Sequence, residues 1–190
     1  MEAIIESSKV FYFDWELDLL HWFQSIHNSV LDFIVPKITF LGNAGWFWIV
    51  VVLLLLVLPF NRKIGVQATI SLILTVIVCN LILKPSIMRC RPCWLEPEVQ
   101  LLVNVPHDFS FPSGHSNASF AVATAIFTRN KKLGIPALVL AAMIAISRLY
   151  VFVHWPTDVL AGTCVGICGG IVSYFIVEYF YKKYSKKTSI

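Results

Sequence analysis

GIPALVLAAMIAISRLYVFVHWPTD, residues 134–158, joins the two properties on which the reading of this chain rests. Residues 134–153 carry one charge, Arg148, in a run long enough to cross hydrocarbon, which takes roughly 20 apolar residues in a helix. His154, Pro156 and Asp158 follow directly. Proline suits the first turn of a helix, so His154 falls just before a further helix and Asp158 within its first turn. The stretch therefore reads as a membrane helix, a polar corner and the start of another helix.

Outward from this corner the same grammar repeats. Runs with few or no charges occupy about 43–60, 64–83, 113–128 and 158–181, and 57% of the 190 residues are hydrophobic against 14% charged. Soluble domains carry about a quarter charged residues, so a membrane class follows from composition. The expected fold is an all-α integral membrane protein: one domain over residues 1–190, a bundle of five transmembrane helices with six as the alternative. Residues 17–35 are too polar to span. Leu19, Trp22, Phe23, Ile26, Val30 and Phe33 fall on one side at 100° per residue, and Asp18, His21, Ser25, Asn28 and Asp32 fall opposite. An N-terminal amphipathic helix lying along the interface is expected there.

Charge sets the orientation. If each link joins consecutive spans, 61–63, 129–132 and the tail Lys182, Lys183, Lys186 and Lys187 share one side, which holds nine of the 15 Lys and Arg residues. By the positive-inside tendency that side is cytoplasmic, and 84–112 and 154–157 face outward. The net charge of +4 comes from short links rather than a basic stripe, so nucleic acid is not an expected partner. Residues 1–18 contain Glu2, Glu6, Asp14, Glu16 and Asp18, unlike a secretory signal, and targeting is expected to rest on the spans. There are no internal repeats. Five scattered cysteines do not make a disulfide framework; only Cys90 and Cys93, on the outward side, leave a choice between a disulfide and free thiols.

Three polar clusters share the outward end. Lys84, Arg91 and Arg148 are cations where topology does not favour them, and arginine binds phosphate oxygens bidentately. Ser113 and Gly114 follow Pro112 at the start of an apolar run, where backbone amides of a helix N-terminus attract anions, and His115 stands next to them. Asp158 is placed to orient one imidazole nitrogen of His154 and leave the other as nucleophile, with His115 as the acid for the leaving group. His115, His154 and Asp158 also carry metal-ligating atoms, but three surrounding cations repel a dication and attract phosphate.

Lys84, six residues, Arg91-Pro92; Pro112-Ser113-Gly114-His115; Ser147-Arg148, five residues, His154, three residues, Asp158: in this order and spacing the clusters resemble the three-part signature of the type 2 phosphatidic acid phosphatase superfamily across residues 84–158. The resemblance implies a metal-independent, cofactor-free phosphatase of membrane lipids. His154 would form a phosphohistidine with Asp158 as its orienting partner. His115 would serve as acid and then as base, and Lys84, Arg91, Ser113, Gly114 and Arg148 would hold the phosphoryl oxygens. It implies a bacterial plasma-membrane protein with an extracytoplasmic site, most similar to the short bacterial members, whose first-choice substrate is undecaprenyl diphosphate; phosphatidic acid or phosphatidylglycerol phosphate is the alternative. The superfamily's kinship with vanadium haloperoxidases leaves a vanadate-dependent oxidoreductase as a reading of another class, and a non-catalytic lipid-binding or transport protein as a third. The polar first segment departs from the common six-span form, and nothing in the sequence sets the oligomeric state.

Residues outside the signature receive plainer expectations. Arg89 binds lipid headgroups or is solvated, His107 and Asp108 belong to a polar loop, and the segment 94–111 is a lid or a capping loop. Cys164, Cys168, Gly169 and Gly170 allow close helix packing, as small residues do in membranes.

Overall fold

The structure, a computed structural model, describes residues 2–187, with side chains described for 4–183. Helix makes up 78% of it. Ten α-helices follow in order: α1 (Glu2–Ser7), α2 (Asp14–Ser25), α3 (Ser29–Leu41), α4 (Trp46–Val57), α5 (Arg62–Val76), α6 (Lys84–Ile87), α7 (Pro92–Leu95), α8 (Gly114–Arg129), α9 (Lys131–Tyr150) and α10 (Pro156–Lys187). The side chains of Lys186 and Lys187, two of the tail cations, lie outside the described residues.

Three helical stretches are long and apolar enough to cross a membrane: Pro59–Ile87, Lys131–Tyr150 and Pro156–Lys183. A fourth arises if Ser29–Leu41 and Asn43–Val57, bent by 46°, are counted as one span. Among the described residues, the runs expected at about 43–60 and 113–128 form the shorter helices α4 and α8. The 12 residues of α4 rise about 18 Å and the 16 of α8 about 24 Å, both under the roughly 30 Å of hydrocarbon. The long stretch Pro59–Ile87 is continuous because a π-helical segment, Ile77–Leu83, links α5 to α6 and widens the turn just before Lys84.

The single helix expected over 17–35 is two helices. Asn28 stops the first and caps the second: its side chain accepts hydrogen bonds from the amides of Val30 and Leu31 at 3.1 and 3.0 Å. Of the polar face, Asp18, His21, Ser25 and Asn28 are exposed, and Asp32 with the neighbouring Gln24 and His27 turns toward the end of α9. Gln24 and His27 donate to the carbonyl of Tyr150 at 3.0 and 3.2 Å, and Asp32 accepts the Tyr150 hydroxyl at 2.7 Å, while Trp22, Val30 and Phe33 are exposed.

The bundle is built around α8. Its buried face is small, with Ser116, Ala118, Ser119, Ala121, Ala123 and Ala125, and α4, α5, α9 and α10 pack on it. Small residues let backbones approach closely where hydrocarbon offers no hydrophobic drive between helices. The approach is tightest against α10: a Cβ on Gly162 would lie 2.4 Å from the carbonyl oxygen of Ser113, and one on Gly166 would lie 2.6 Å from that of Asn117. Of the four small residues expected to pack, Gly169 and Gly170 face α5 and α8, whereas Cys164 and Cys168 are exposed. Two apolar cores flank α8. One joins α4, α5 and α9; the other gathers Leu20, Tyr150, Phe152, Val153 and Trp155 with Leu101, Leu102, Val103 and Val105 of the 94–111 segment. That segment is thus pinned by its own apolar residues as a cap over the end of the bundle where α9 stops.

Candidate active site

After α9 the chain reverses within five residues. Phe152 takes a left-handed conformation, φ 58°, and the amides of Val151 and Val153 bond back to the carbonyls of Ser147 and Arg148 at 3.0 and 3.3 Å. A bulky residue in this region carries strain of about 1–3 kcal/mol, and full burial of the Phe152 side chain holds it there. The turn delivers His154 into the interior and starts α10 at Pro156, so that Asp158 lies in its first turn as the sequence predicts.

The two faces of His154 differ. Arg91 Nη1 donates to its Nε2 at 3.2 Å, and because a guanidinium only donates, Nε2 accepts and Nδ1 carries the proton. Nδ1 faces Ser110 Oγ at 3.4 Å and Asp158 Oδ2 at 3.5 Å. Burial, then the cations Arg91, Arg148 and Lys84, hold the His154 pKa well below its ordinary value, so the ring stays neutral with its Nε2 lone pair held by Arg91.

Asp158 is more heavily bonded than a simple dyad requires. Its Oδ2 accepts the hydroxyl of Ser110 and the amide of Trp155 at 2.9 Å; its Oδ1 accepts Arg89 Nη1 at 2.7 Å. Arg89 is neither solvated nor at the surface, being 2% exposed. It also donates to Thr157 Oγ1, to Glu16 Oε2 and to the carbonyl of Phe11 at 2.7, 2.7 and 3.0 Å. Glu16, fully buried, accepts the amide and hydroxyl of Thr157 at 3.1 and 2.6 Å. The N-terminal segment is held against the site by backbone bonds from Lys9 to Met88 and from Cys90 to Lys9, 2.7 and 2.9 Å, and by Tyr12 stacked on Trp155.

The three cations of the sequence reading line one cavity of about 410 Å³ with His115 and His154. Their states differ. Arg91 uses all five donors: Asp108 O and Oδ1, Val153 O, His154 Nε2 and Phe109 O. Lys84 pairs with Asp108 Oδ2, so this carboxylate bridges Lys84 and Arg91 instead of standing apart in a polar loop. Burial opposes its ionisation, but Arg91 and Lys84 outweigh that and hold its carboxyl below the usual range. Arg148 donates to Thr39 Oγ1 at 2.5 Å, while its buried Nε has no partner. An orphaned guanidinium donor beside a cavity marks a place for an anion.

Ser113 enters as a cap. Its hydroxyl accepts from the amide and hydroxyl of Ser116 at 3.4 and 3.1 Å, and its amide donates to the carbonyl of Asp158 at 3.0 Å, tying the second motif to the third. That leaves the amides of Gly114 and His115 as first-turn donors without intrahelical partners at the start of α8, an arrangement suited to an anion. His115 Nε2 lies 2.9 Å from Asn43 Oδ1 and thereby donates, leaving Nδ1 for another proton, and its ring rests against Gly42, where a Cβ would come within 2.5 Å. Apolar residues Ile49, Leu72, Val76 and Ala118 complete the cavity wall.

The structure thus brings Lys84, Arg91, Ser113, Gly114, His115, Arg148, His154 and Asp158 to one end of the bundle. Sequence reasoning passed over Glu16, Thr39, Asn43 and Ser110 and misplaced Arg89 and Asp108. Ser110 alone carried a signal, three residues before Ser113. Cys90 and Cys93 are free and buried, with the Cys93 thiol pushed up to about 11 by burial.

The chain resembles known phosphatases in sequence and in fold. The chain is 35% identical over 147 residues to an undecaprenyl-diphosphatase of Sulfolobus acidocaldarius, covering 76% of this chain and 71% of that protein. It is 29% identical over 180 residues to a lipid A 4'-phosphatase of Bacteroides thetaiotaomicron, covering 88% and 79%. The crystal structure of Aquifex aeolicus LpxE superposes with a TM-score of 0.68 at 25% identity, over 85% of this chain and 96% of that one. Residues 64–182 match the model of the PAP2 superfamily, and the chain belongs to that superfamily.

Proposed function

We propose that this membrane lipid phosphatase converts undecaprenyl diphosphate to undecaprenyl phosphate, at the extracytoplasmic interface, through a phosphohistidine on His154. The observation that carries the reading is a neutral, buried His154 whose Nε2 faces a cavity ringed by Lys84, Arg91 and Arg148.

The terminal phosphoryl group binds among these cations and the amides of Gly114 and His115, and fills the unmet donor on Arg148 Nε. Arg91 Nη1 leaves Nε2 for a phosphoryl oxygen, and Nε2 attacks phosphorus. The N–P bond forms as the bond to the leaving oxygen breaks, and His115, which takes up a second proton on Nδ1 when the phosphoryl anion binds beside it, gives that proton to the leaving oxygen and releases the lipid phosphate. His115 then takes a proton from water, whose oxygen attacks phosphorus; the N–P bond breaks and phosphate departs. Asp158 and Ser110 face the Nδ1 proton and fix the ring through both steps. Cations and amides in place before reaction are the main source of rate, as in other phosphoryl transfers.

Ile49, Leu72, Val76 and Ala118 extend the cavity from the charged end toward α4 and α5, which suits a lipid lying sideways with its chain in the bilayer. The likeness to an undecaprenyl-diphosphatase favours a prenyl diphosphate over phosphatidic acid or phosphatidylglycerol phosphate. We read five crossings, formed by α4, Pro59–Ile87, α8, α9 and α10, the short α4 and α8 completing theirs with the turns that flank them, and with α2 and α3 along the outward interface. Contacts of α3 with the end of α9, Thr39 to Arg148 and Asp32 to Tyr150, support this. The basic links on the opposite side support a bacterial plasma-membrane orientation with the site outward.

The test is phosphate release by the purified chain, with EDTA present, from a panel of prenyl diphosphates, phosphatidic acid, phosphatidylglycerol phosphate and lipid A. Release that is fastest with prenyl diphosphates and abolished in His154→Ala is expected. Equal release by wild type and His154→Ala refutes the mechanism, and a different lipid at the head of the ranking refutes the substrate.

A further inference from the structure

Arg89 lies outside every position of the three-part signature, and Glu16 lies outside the family match at residues 64–182, yet together with Asp158 they form a buried cluster behind the nucleophile. Arg89 is 2% exposed, and Glu16 and Asp158 are fully buried. Burying a guanidinium with two carboxylates is expensive, and apolar packing of the same volume is often as stable, so the cluster is poorly explained as a device for stability.

Geometry gives it another use. A carboxylate turns about its Cβ–Cγ bond unless both oxygens are held. Asp158 Oδ2 is held by Ser110 and Trp155, on the side facing His154 Nδ1. The side-chain partner of Oδ1 is Arg89, at 2.7 Å. Arg89 is itself fixed from the far side by Glu16 at 2.7 Å and by Phe11 O at 3.0 Å, and it lies 5.3 Å from the Trp155 ring. A line of contacts thus runs from α2 through Arg89 and Asp158 to Ser110 and the Nδ1 proton of His154. The phosphate-binding groups Lys84, Arg148 and the α8 amides are not in it.

We infer that Arg89, backed by Glu16 of the N-terminal segment, is a positioning residue for the nucleophile: it engages one oxygen of Asp158 so that the other stays aimed at His154, without contacting substrate. This rests on the function proposed above. Misaimed by a fraction of an ångström, the imidazole still neighbours a bound phosphoryl group but attacks it poorly, so the rate of chemistry suffers rather than binding.

The experiment uses the full chain in detergent with a short-chain prenyl diphosphate as substrate and inorganic phosphate as competitive inhibitor. Arg89→Met is expected to lower kcat on the order of 10²-fold while KM and the inhibition constant for phosphate stay within about threefold of wild type. Arg89→Lys, which keeps the charge but cannot hold Asp158 and Glu16 in one plane, should fall between, and it stands in for Arg89→Met if that variant does not fold. Glu16→Gln should lose part of the same factor, and the double variant should lose no more than Arg89→Met alone, because both act on one line of contacts. Wild-type kcat in Arg89→Met, or loss of phosphate affinity in parallel with kcat, overturns the inference. If instead wild type releases no phosphate, or His154→Ala equals it, the proposed function itself fails.

Discussion

Replacing Gly162 by alanine tests whether the seam between α8 and α10 sets the geometry of the site. The added Cβ would meet the Ser113 carbonyl oxygen at 2.4 Å, roughly 1 Å inside ordinary contact, and backbone rather than a flexible side chain must give way. Ser113 is anchored on both sides: its amide donates to Asp158 O and its carbonyl accepts the amide of Asn117, both at 3.0 Å. A shift of that size therefore tilts the first turn of α8, with the amides of Gly114 and His115, away from the position of the phosphoryl group. Overpacking should lower stability by about 1–3 kcal/mol. Displacement of catalytic groups by about 1 Å should reduce kcat/KM on the order of 10²-fold, equivalent to about 2.7 kcal/mol of barrier. Gly166→Ala is the matched control. Its Cβ would meet Asn117 O at 2.6 Å one turn deeper, so it should lose similar stability and much less activity. Phosphate release in micelles and thermal melting of the detergent-solubilised chain read the two effects separately. The reasoning is refuted if Gly162→Ala retains near-wild-type kcat/KM, or if Gly166→Ala loses activity to the same extent.

Gly42→Ala would push a methyl to within 2.5 Å of the His115 ring, so it should impair release of alkyl-type leaving groups by on the order of 10-fold or more while sparing an activated aryl phosphate, as loss of a general acid does. Comparison of kcat for the two substrates checks this. Asp108→Asn removes the negative charge bridging Lys84 and Arg91; inorganic phosphate should inhibit the variant more strongly, by about 10-fold, read from its inhibition constant. His154 must be neutral to attack, and its depressed pKa places the acidic limb of kcat/KM below about pH 6.5. Arg91→Met removes the largest charge contribution to that depression, so the pKa rises and the limb of the residual activity moves to higher pH. An unmoved limb, followed across a pH series, would show that another group sets it.

The membrane class and the signature residues were legible in the sequence because they depend on local properties. An apolar run such as 134–153 partitions into hydrocarbon whatever its neighbours, and Lys84, Arg91, His115, Arg148, His154 and Asp158 keep their chemistry at fixed spacings. Even the meeting of His154 and Asp158 follows from one helix start. Tertiary structure alone decided which partner each charge takes. Glu16 and Thr157 are 141 residues apart, Arg89 and Asp158 are 69 apart, and Thr39 and Arg148 are 109 apart, so no spacing rule pairs them. The engagement of the Ser113 amide by Asp158 O has the same origin, whereas the break at Asn28 is a local cap on Val30 and Leu31. Hydropathy and helix periodicity describe one segment at a time, whereas a buried charge finds its partner through the packing of several, here around the small residues of α8. The sequence by itself named the groups proposed to touch phosphate; only the packed bundle determined what holds them in place.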